Sequence, residues 1–284
     1  MWYYTCRYIL VYLSDEVFTH ISSWLTYRRF GVNYTLMNMR HPRTFNEKIN
    51  HLKLFRQPEN GTLLADKYAV RRWVSEKLGE KYLIPLYGKF DNAYNIDFDA
   101  LPSQFVLKTN HGSGWNIICT DKSNLDIIST IKKLNQWLSW NSFHLSREYQ
   151  YKDIKPCVLC EQLLGFNIAD YKFFCFKGIP KFIQVDINRF TKHERAYFDT
   201  NWQILPFSIC YQIAETLPLR PSKLEEMLHI SRVLSNSLDF ARIDLYEHNN
   251  QVYFGEITLC PEGGKGPFFP REYDLELGKL IELN

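Results

Sequence analysis

The sequence has no apolar run long enough to cross a bilayer. Its most apolar early stretch, Tyr8-Ile-Leu-Val-Tyr-Leu13, is cut by Ser14, Asp15 and Glu16, well short of the roughly 20 residues a span needs. The start lacks the basic region and small-residue cleavage site of a secretory signal, so a cytoplasmic protein is expected. Charge of one sign is scarce. Thirty-four Lys and Arg against 31 Asp and Glu leave +3, too little to indicate a nucleic-acid partner. No GxxxxGK[ST], GxGxxG, HExxH or GxSxG pattern occurs, so the commonest nucleotide, zinc-protease and nucleophile-elbow signatures are absent. Repeats and low-complexity tracts are absent too. The seven cysteines are scattered. Cys157-Val-Leu-Cys160 has the spacing of half a zinc or redox site but no second pair or placed histidine. It reads instead as a buried strand in which each Cys is a small apolar residue.

What is present is an ordinary globular composition, 45% hydrophobic and 16% aromatic over 284 residues. That is one large domain or two or three packed subdomains. Residues 1–40 are aromatic and basic and read as helical. The polar breaks at 14–16 and 22–23 favour packing or pairing over a membrane-surface role. Thr44 and Glu47 have capping-box spacing, so a helix is expected from Phe45, with Ile49, Leu52 and Phe55 following at helical intervals. A second helix is expected over 66–78, ending at Gly79, then a strand over 82–87 ended by Gly88. Further on, 104–109 and 117–119 form a hairpin around a Gly-containing turn. A helix over 124–140 and a strand over 158–164 follow. Hairpins over 172–185 and 241–257 flank a helix over 224–238. Hairpins with a few helices make an α+β protein.

Chemistry-bearing residues cluster on these hairpins. Lys108 lies in an apolar strand just before His111-Gly-Ser-Gly114. A lysine there either meets an anion or faces solvent, and the glycines either close backbone N–H groups over phosphate or merely turn the chain. Asp244 and Glu256 fall nearly opposite each other across the 241–257 hairpin. Residues 242, 244 and 246 are expected on one face with 254, 256 and 258. The two carboxylates either hold a cation such as Mg²⁺ or pair with Arg242. The loop Thr258-Leu-Cys-Pro-Glu-Gly-Gly-Lys-Gly266 places Lys265 between glycines, either as a mobile anion contact or as part of a plain flexible loop.

Taken together, Thr44-Phe-Asn-Glu-Lys48, Asp66-Lys-Tyr-Ala-Val-Arg71, Leu101-Pro-Ser-Gln-Phe-Val-Leu-Lys-Thr-Asn-His-Gly-Ser-Gly114, Asp170-Tyr-Lys-Phe-Phe-Cys-Phe-Lys-Gly178, Arg242-Ile-Asp-Leu-Tyr246 and Gly255-Glu-Ile-Thr258 resemble the TupA-like ATP-grasp family of surface-polysaccharide biosynthesis. The resemblance runs from about residue 25 to the C-terminus. It implies an α+β ATP-grasp fold, two subdomains enclosing ATP. Its divisions would be a helical segment 1–40, a small α/β unit 41–100, a small ATP-grasp subdomain 101–165 with the Gly loop, and a large one 166–284 with a metal site.

The resemblance also implies roles. Lys108 would contact the α- and β-phosphates. His111, Gly112, Ser113, Gly114 and Trp115 would cover the triphosphate. Glu161, Gln162, Leu163 and Leu164 would form the adenine hinge. Asp170 and Lys172 would be further nucleotide contacts. Asp244 and Glu256 would hold Mg²⁺, with Thr258 standing where many ATP-grasp enzymes have a metal-ligating Asn. Arg242 would stabilise the transferring phosphoryl group, with Lys265 as a second catalytic contact. The implied activity is ATP-dependent joining of a carboxylate to an amine through an acyl phosphate. The implied partners are an amino acid or amine and a sugar-linked carboxylate, with no nucleic acid and no membrane span; peripheral membrane contact and an oligomer stay open. The alternatives are a glycosyltransferase of the same surface polysaccharides and a non-catalytic nucleotide-binding partner in their assembly.

Overall fold

The computed structural model describes residues 2–166, 168–187, 193–211 and 213–283. Its helices are α1 (Trp2–Tyr8), α2 (Asp15–Arg29), α3 (Phe45–Phe55), α4 (Gly61–Ala65), α5 (Ala69–Leu78), α6 (Ile127–Leu138), α7 (Phe143–Ser146), α8 (Leu224–Ser235) and α9 (Glu272–Gly278). Its strands are β1 (Leu86–Phe90), β2 (Phe105–Thr109), β3 (Asn116–Cys119), β4 (Val158–Gln162), β5 (Asp170–Phe176), β6 (Ile179–Ile187), β7 (Glu194–Asp199), β8 (Ser208–Ile209), β9 (Phe240–His248), β10 (Gln251–Thr258) and β11 (Phe268–Phe269). Two antiparallel sheets dominate, ordered β1-β4-β2-β3 and β10-β9-β5-β6-β7, with β8 and β11 paired separately. The α+β expectation holds.

Local chemistry sets the boundaries. The capping box forms: Thr44 accepts from the Glu47 N–H at 3.3 Å and Glu47 accepts from the Thr44 N–H at 3.0 Å. Ser14 caps α2, whose first turn carries Asp15 and Glu16 and whose last carries Arg28 and Arg29, matching the helix dipole. The β9–β10 hairpin turns on Asn249 and Asn250, both at positive φ, as a two-residue hairpin of this twist requires.

The four-stranded sheet packs Phe105, Leu107, Val158 and Cys160 against Leu134 and Trp137 of α6. The five-stranded sheet has two covered faces. Phe173, Cys175, Ile243 and Leu245 meet α8 through Leu224, Met227 and Leu228. On the opposite face, Phe174, Phe176 and Phe240 meet Phe45 of α3. Toward the other end of that second face the apolar residues give way to charge.

Several expectations need correction. The strand expected over 82–87 runs Leu86–Phe90 with Gly88 inside it, and Glu80–Tyr82 is a 3-10 turn. Gly88 sits at a register shift against β4, so it bends the strand rather than ending it. The helix expected over 66–78 is α5, Ala69–Leu78; it starts after Asp66, whose carboxylate accepts from the Tyr68 and Ala69 N–H groups, and the short α4 before it was not expected. Residues 41–100 contribute to both sheets. Phe45, Ile49, Leu52, Val70 and Val74 belong to the core of the five-stranded sheet, while β1 joins the four-stranded one.

Residues 2–29 dock on the body of the protein. Tyr3 stacks on Trp140 at 4.7 Å and its hydroxyl accepts from the Asn141 N–H at 3.0 Å. Arg147, 1% exposed, pairs with Asp15 at 3.1 Å, donates to the Leu10 carbonyl at 2.9 Å and lies over the Phe18 ring. No helix among the described residues is long and apolar enough to cross a membrane.

Candidate nucleotide and phosphoryl-transfer site

The charged end of the five-stranded sheet is built by register. Glu256, Asp244, Lys172, Gln184 and Tyr197 stand opposite one another across five successive strands. Asp170, Asp186 and Arg195 form the adjacent row. Alternation alone would not produce this. Phe254 pairs with Leu245 on the core face, and a bulge at Gly255 then resets the register so that Glu256 meets Asp244 and Thr258 meets Arg242. The expectation that Phe254 shares a face with Glu256 and Thr258 is therefore corrected. The bulge needs glycine, because a Cβ at 255 would lie 3.0 Å from the Asp244 carbonyl and 2.9 Å from the Tyr246 ring.

Basic side chains sit among the acidic ones of these rows. Arg242 grips Asp244 with two hydrogen bonds of 2.7 Å and donates to Thr258 Oγ1 at 3.0 Å. Lys172 lies between Asp170 and Asp244, 2.6 Å from the latter. Arg195 pairs with Asp186 at 2.7 Å and with Glu262 at 2.8 Å. Arg242 also reaches Glu256 at 3.5 Å, so it touches both carboxylates of the hairpin. Burial alone would lift the Glu256 pKa, but Lys67 and Arg242 hold its carboxyl well below the usual carboxylate range. Burial likewise works against ionised Asp186, and His193, Arg195 and Lys172 outweigh it. Burial opposes the charge of Lys172, and Asp170 and Asp244 restore it.

The other wall comes from the four-stranded sheet. Lys108 lies on its polar face and meets Glu161 at 2.6 Å; Arg71 meets the same carboxylate at 3.1 Å. An anion does answer Lys108, and it belongs to the chain. The Gln162 N–H of the expected hinge donates to the Pro85 carbonyl at 2.9 Å, and Leu163 and Leu164 follow directly after β4. Ser113 and Gly114 are exposed at the loop tip. Gly112 leaves room for the Trp115 ring, which a Cβ there would strike at 2.3 Å. His111 turns the other way. It is 1% exposed, within 3.2 Å of the Trp137 and Trp140 carbonyls, and burial pushes its pKa down. Its ring anchors the loop to α6 rather than facing the cleft.

One residue missing from the sequence-based set joins the two walls. Lys67 donates to the Gly112 carbonyl at 2.9 Å and pairs with Glu256 at 3.2 Å. It stands inside the Asp66–Arg71 stretch, where a lysine entering a helix looks like surface. Arg71, Asp186, Arg195 and Glu262 were also missed. The signal for Asp186 and Arg195 was a charge placed two residues from Gln184 and Tyr197, on the same strand face. Lys265 is corrected on the other side. It is half-buried, with Glu148 and Glu262 as acidic neighbours, and burial lowers its pKa. Its loop is held rather than mobile: Asn46, Asn50 and Lys53 of α3 donate to the carbonyls of Gly266, Gly264 and Gly263.

The family model described as "TupA-like ATPgrasp" matches residues 47–282. The chain belongs to the TupA-like ATP-grasp family. No curated protein sequence matches it. Among solved structures, D-alanine–D-alanine ligase from Bacillus anthracis is 18% identical with a TM-score of 0.47, covering 77% of this chain and 66% of that one. L-amino acid ligase from Bacillus licheniformis is 11% identical, TM-score 0.45, covering 90% and 57%. N5-carboxyaminoimidazole synthetase from Staphylococcus aureus is 16% identical, TM-score 0.37, covering 69% and 44%. The chain thus spans less than two thirds of each of these three structures, and its assignment rests on the family match.

Asp244, Glu256 and Thr258 form an all-oxygen donor set of the kind a hard cation uses. Among the described residues no three His, Cys, Asp or Glu side chains converge on one point. The set fits a Mg²⁺ ion that takes one or two carboxylates and completes its shell with phosphate oxygens.

Proposed function

We propose that this TupA-like ATP-grasp protein is an ATP-dependent carboxylate–amine ligase. A carboxylate oxygen attacks the γ-phosphorus of ATP, its bond to the β-bridging oxygen breaks, and ADP leaves. The resulting acyl phosphate is attacked at carbon by an amine, which loses a proton as phosphate departs, leaving an amide. Such chemistry needs positioning and charge neutralisation more than a protein nucleophile.

The observation that carries this reading is the row Glu256, Asp244, Lys172 with Arg242 beside it, facing Lys67 and the Gly112 carbonyl of the other wall. Asp244, Glu256 and Thr258 would hold Mg²⁺, which when bound neutralises phosphate charge. Lys108, freed from Glu161 while Arg71 keeps that carboxylate, would reach the phosphates. Ser113 and Gly114 would close over them, and Arg242 would meet the transferring group. Glu161 through Leu164 would border the adenine. The carboxylate is read as a uronic-acid-type sugar acid of a surface polysaccharide, and the amine as an amino acid. That finer assignment rests on the family resemblance.

The test is Mg·ATP with panels of uronic acids and amino acids, followed by ADP release and mass spectrometry of the product. ADP formation that needs both a carboxylate and an amine is expected, with an amide in the product. Release of a nucleoside diphosphate from a nucleotide sugar, with no ATP consumed, would replace this reading with the glycosyltransferase one.

A further inference from the structure

The side of α3 turned away from the Gly263–Gly266 loop carries a second concentration of charge. Asn46, Asn50 and Lys53 face that loop. Lys48 and His51 lie roughly opposite them on the helix, at 100° per residue. They line a groove of about 590 Å³ with Arg40, His41, Arg43 and Arg56, closed by Pro42 and Leu283. None of these lining residues is acidic. Four carry permanent positive charge and two are imidazoles. Three carboxylates touch them: Glu16 pairs with Arg40, Asp239 pairs with Arg56 at 3.3 Å, and Glu47 accepts from the Arg43 backbone N–H at 2.7 Å. Lys48 reaches only a carbonyl, that of Ile281, at 2.6 Å, and burial pushes its pKa down despite Glu282 nearby.

We propose that this groove is a binding site for clustered phosphate, such as a diphosphate group. Arg40 and Arg56 already have carboxylate partners, but the side chains of Arg43 and Lys48 make no ion pair among the described residues, and an anion entering the concavity between them offsets their repulsion. Guanidinium forks fit phosphate oxygens two at a time, and three arginines border the groove. The site lies across α3 from the loop of Glu262 and Lys265, one helix width from the cleft. A phosphate-bearing handle could therefore be held without entering the nucleotide site. The phosphate could belong to a soluble ester or to a lipid headgroup.

The experiment is calorimetric titration of the full chain with inorganic pyrophosphate, with ADP saturating. A parallel arm measures co-sedimentation with phosphatidylcholine vesicles, with and without phosphatidic acid. Arg43→Glu is the test variant; its side chain is exposed and the capping box uses other atoms. Arg72→Glu, an equal charge change on exposed α5, is the control. Saturable pyrophosphate binding, weakened about tenfold or more by Arg43→Glu and unchanged by Arg72→Glu, is expected for a soluble phosphate. The same pattern confined to vesicles containing phosphatidic acid assigns the site to a headgroup. No saturable binding in either arm, or equal loss in both variants, overturns the proposal. Neither arm uses turnover, so the outcome is separate from that of the ligase reading.

Discussion

Lys67 is the residue on which the two walls depend. It neutralises Glu256 and ties the Gly loop to the five-stranded sheet. Lys67→Ala is expected to weaken Mg·ATP binding about 10- to 100-fold, the worth of a charge-assisted hydrogen bond or two. Unchanged affinity by calorimetry would return Lys67 to a structural role. Lys53 gives a prediction in pH. Burial lowers it to about 8, whereas the unfolded chain keeps the proton to higher pH. Between pH 8 and 10 the unfolded state therefore binds more protons at this site, and stability through Lys53 rises with pH. Relative to Lys53→Met, wild type should gain about 1–3 kcal/mol over that window in denaturant unfolding. A difference that stays constant with pH would contradict the assignment. The cysteines carry no such signal. Burial raises Cys157 and Cys160 to about 12, so the C-x-x-C pair is inert packing, as its lack of partner ligands suggested.

At the scale of elements, the site hangs on one bulge. Gly255→Val would press its side chain on the Asp244 carbonyl and the Tyr246 ring. The expected result is a loss of about 1–3 kcal/mol in stability and at least a tenfold drop in any Mg²⁺-dependent ATP turnover; wild-type values for both would show that the register survives without glycine. The hairpin itself was legible, because Asn249 and Asn250 fix the turn and bring Asp244 within one residue of Glu256. The bulge was not: the turn register alone sets Asp244 against Gly255, and the bulge brings Glu256 onto Asp244 while Phe254 stays opposite Leu245 on the core face. The α3 cap was legible because its four residues act locally. Lys67 and Arg71 were not, because their partners, Glu256 and Glu161, lie far along the chain. His111 looked like a loop ligand because its anchors are backbone carbonyls of Trp137 and Trp140, which no side-chain pattern records.

At the scale of the whole molecule, residues 2–29 act as a brace. Removing the chain before Thr35 would take Asp15, the Leu10 carbonyl and the Phe18 ring from Arg147 and expose the face of Trp140. The ion pair and the apolar area buried under the segment are lost together. The truncated chain is expected to melt several degrees lower, and an unchanged melting temperature would show that the segment is not part of the fold. The central claim concerns the two walls together, a nucleotide held between the Gly loop with Lys67 and the row of Lys172, Asp244 and Glu256. The most direct measurement is calorimetric titration of the full chain with Mg²⁺ and a non-hydrolysable ATP analogue, in wild type, Asp244→Asn and Glu256→Gln. Saturable, Mg²⁺-dependent binding in wild type that both substitutions abolish or weaken at least tenfold is expected. Binding that is independent of Mg²⁺, equal in all three proteins, or absent from wild type would contradict the account.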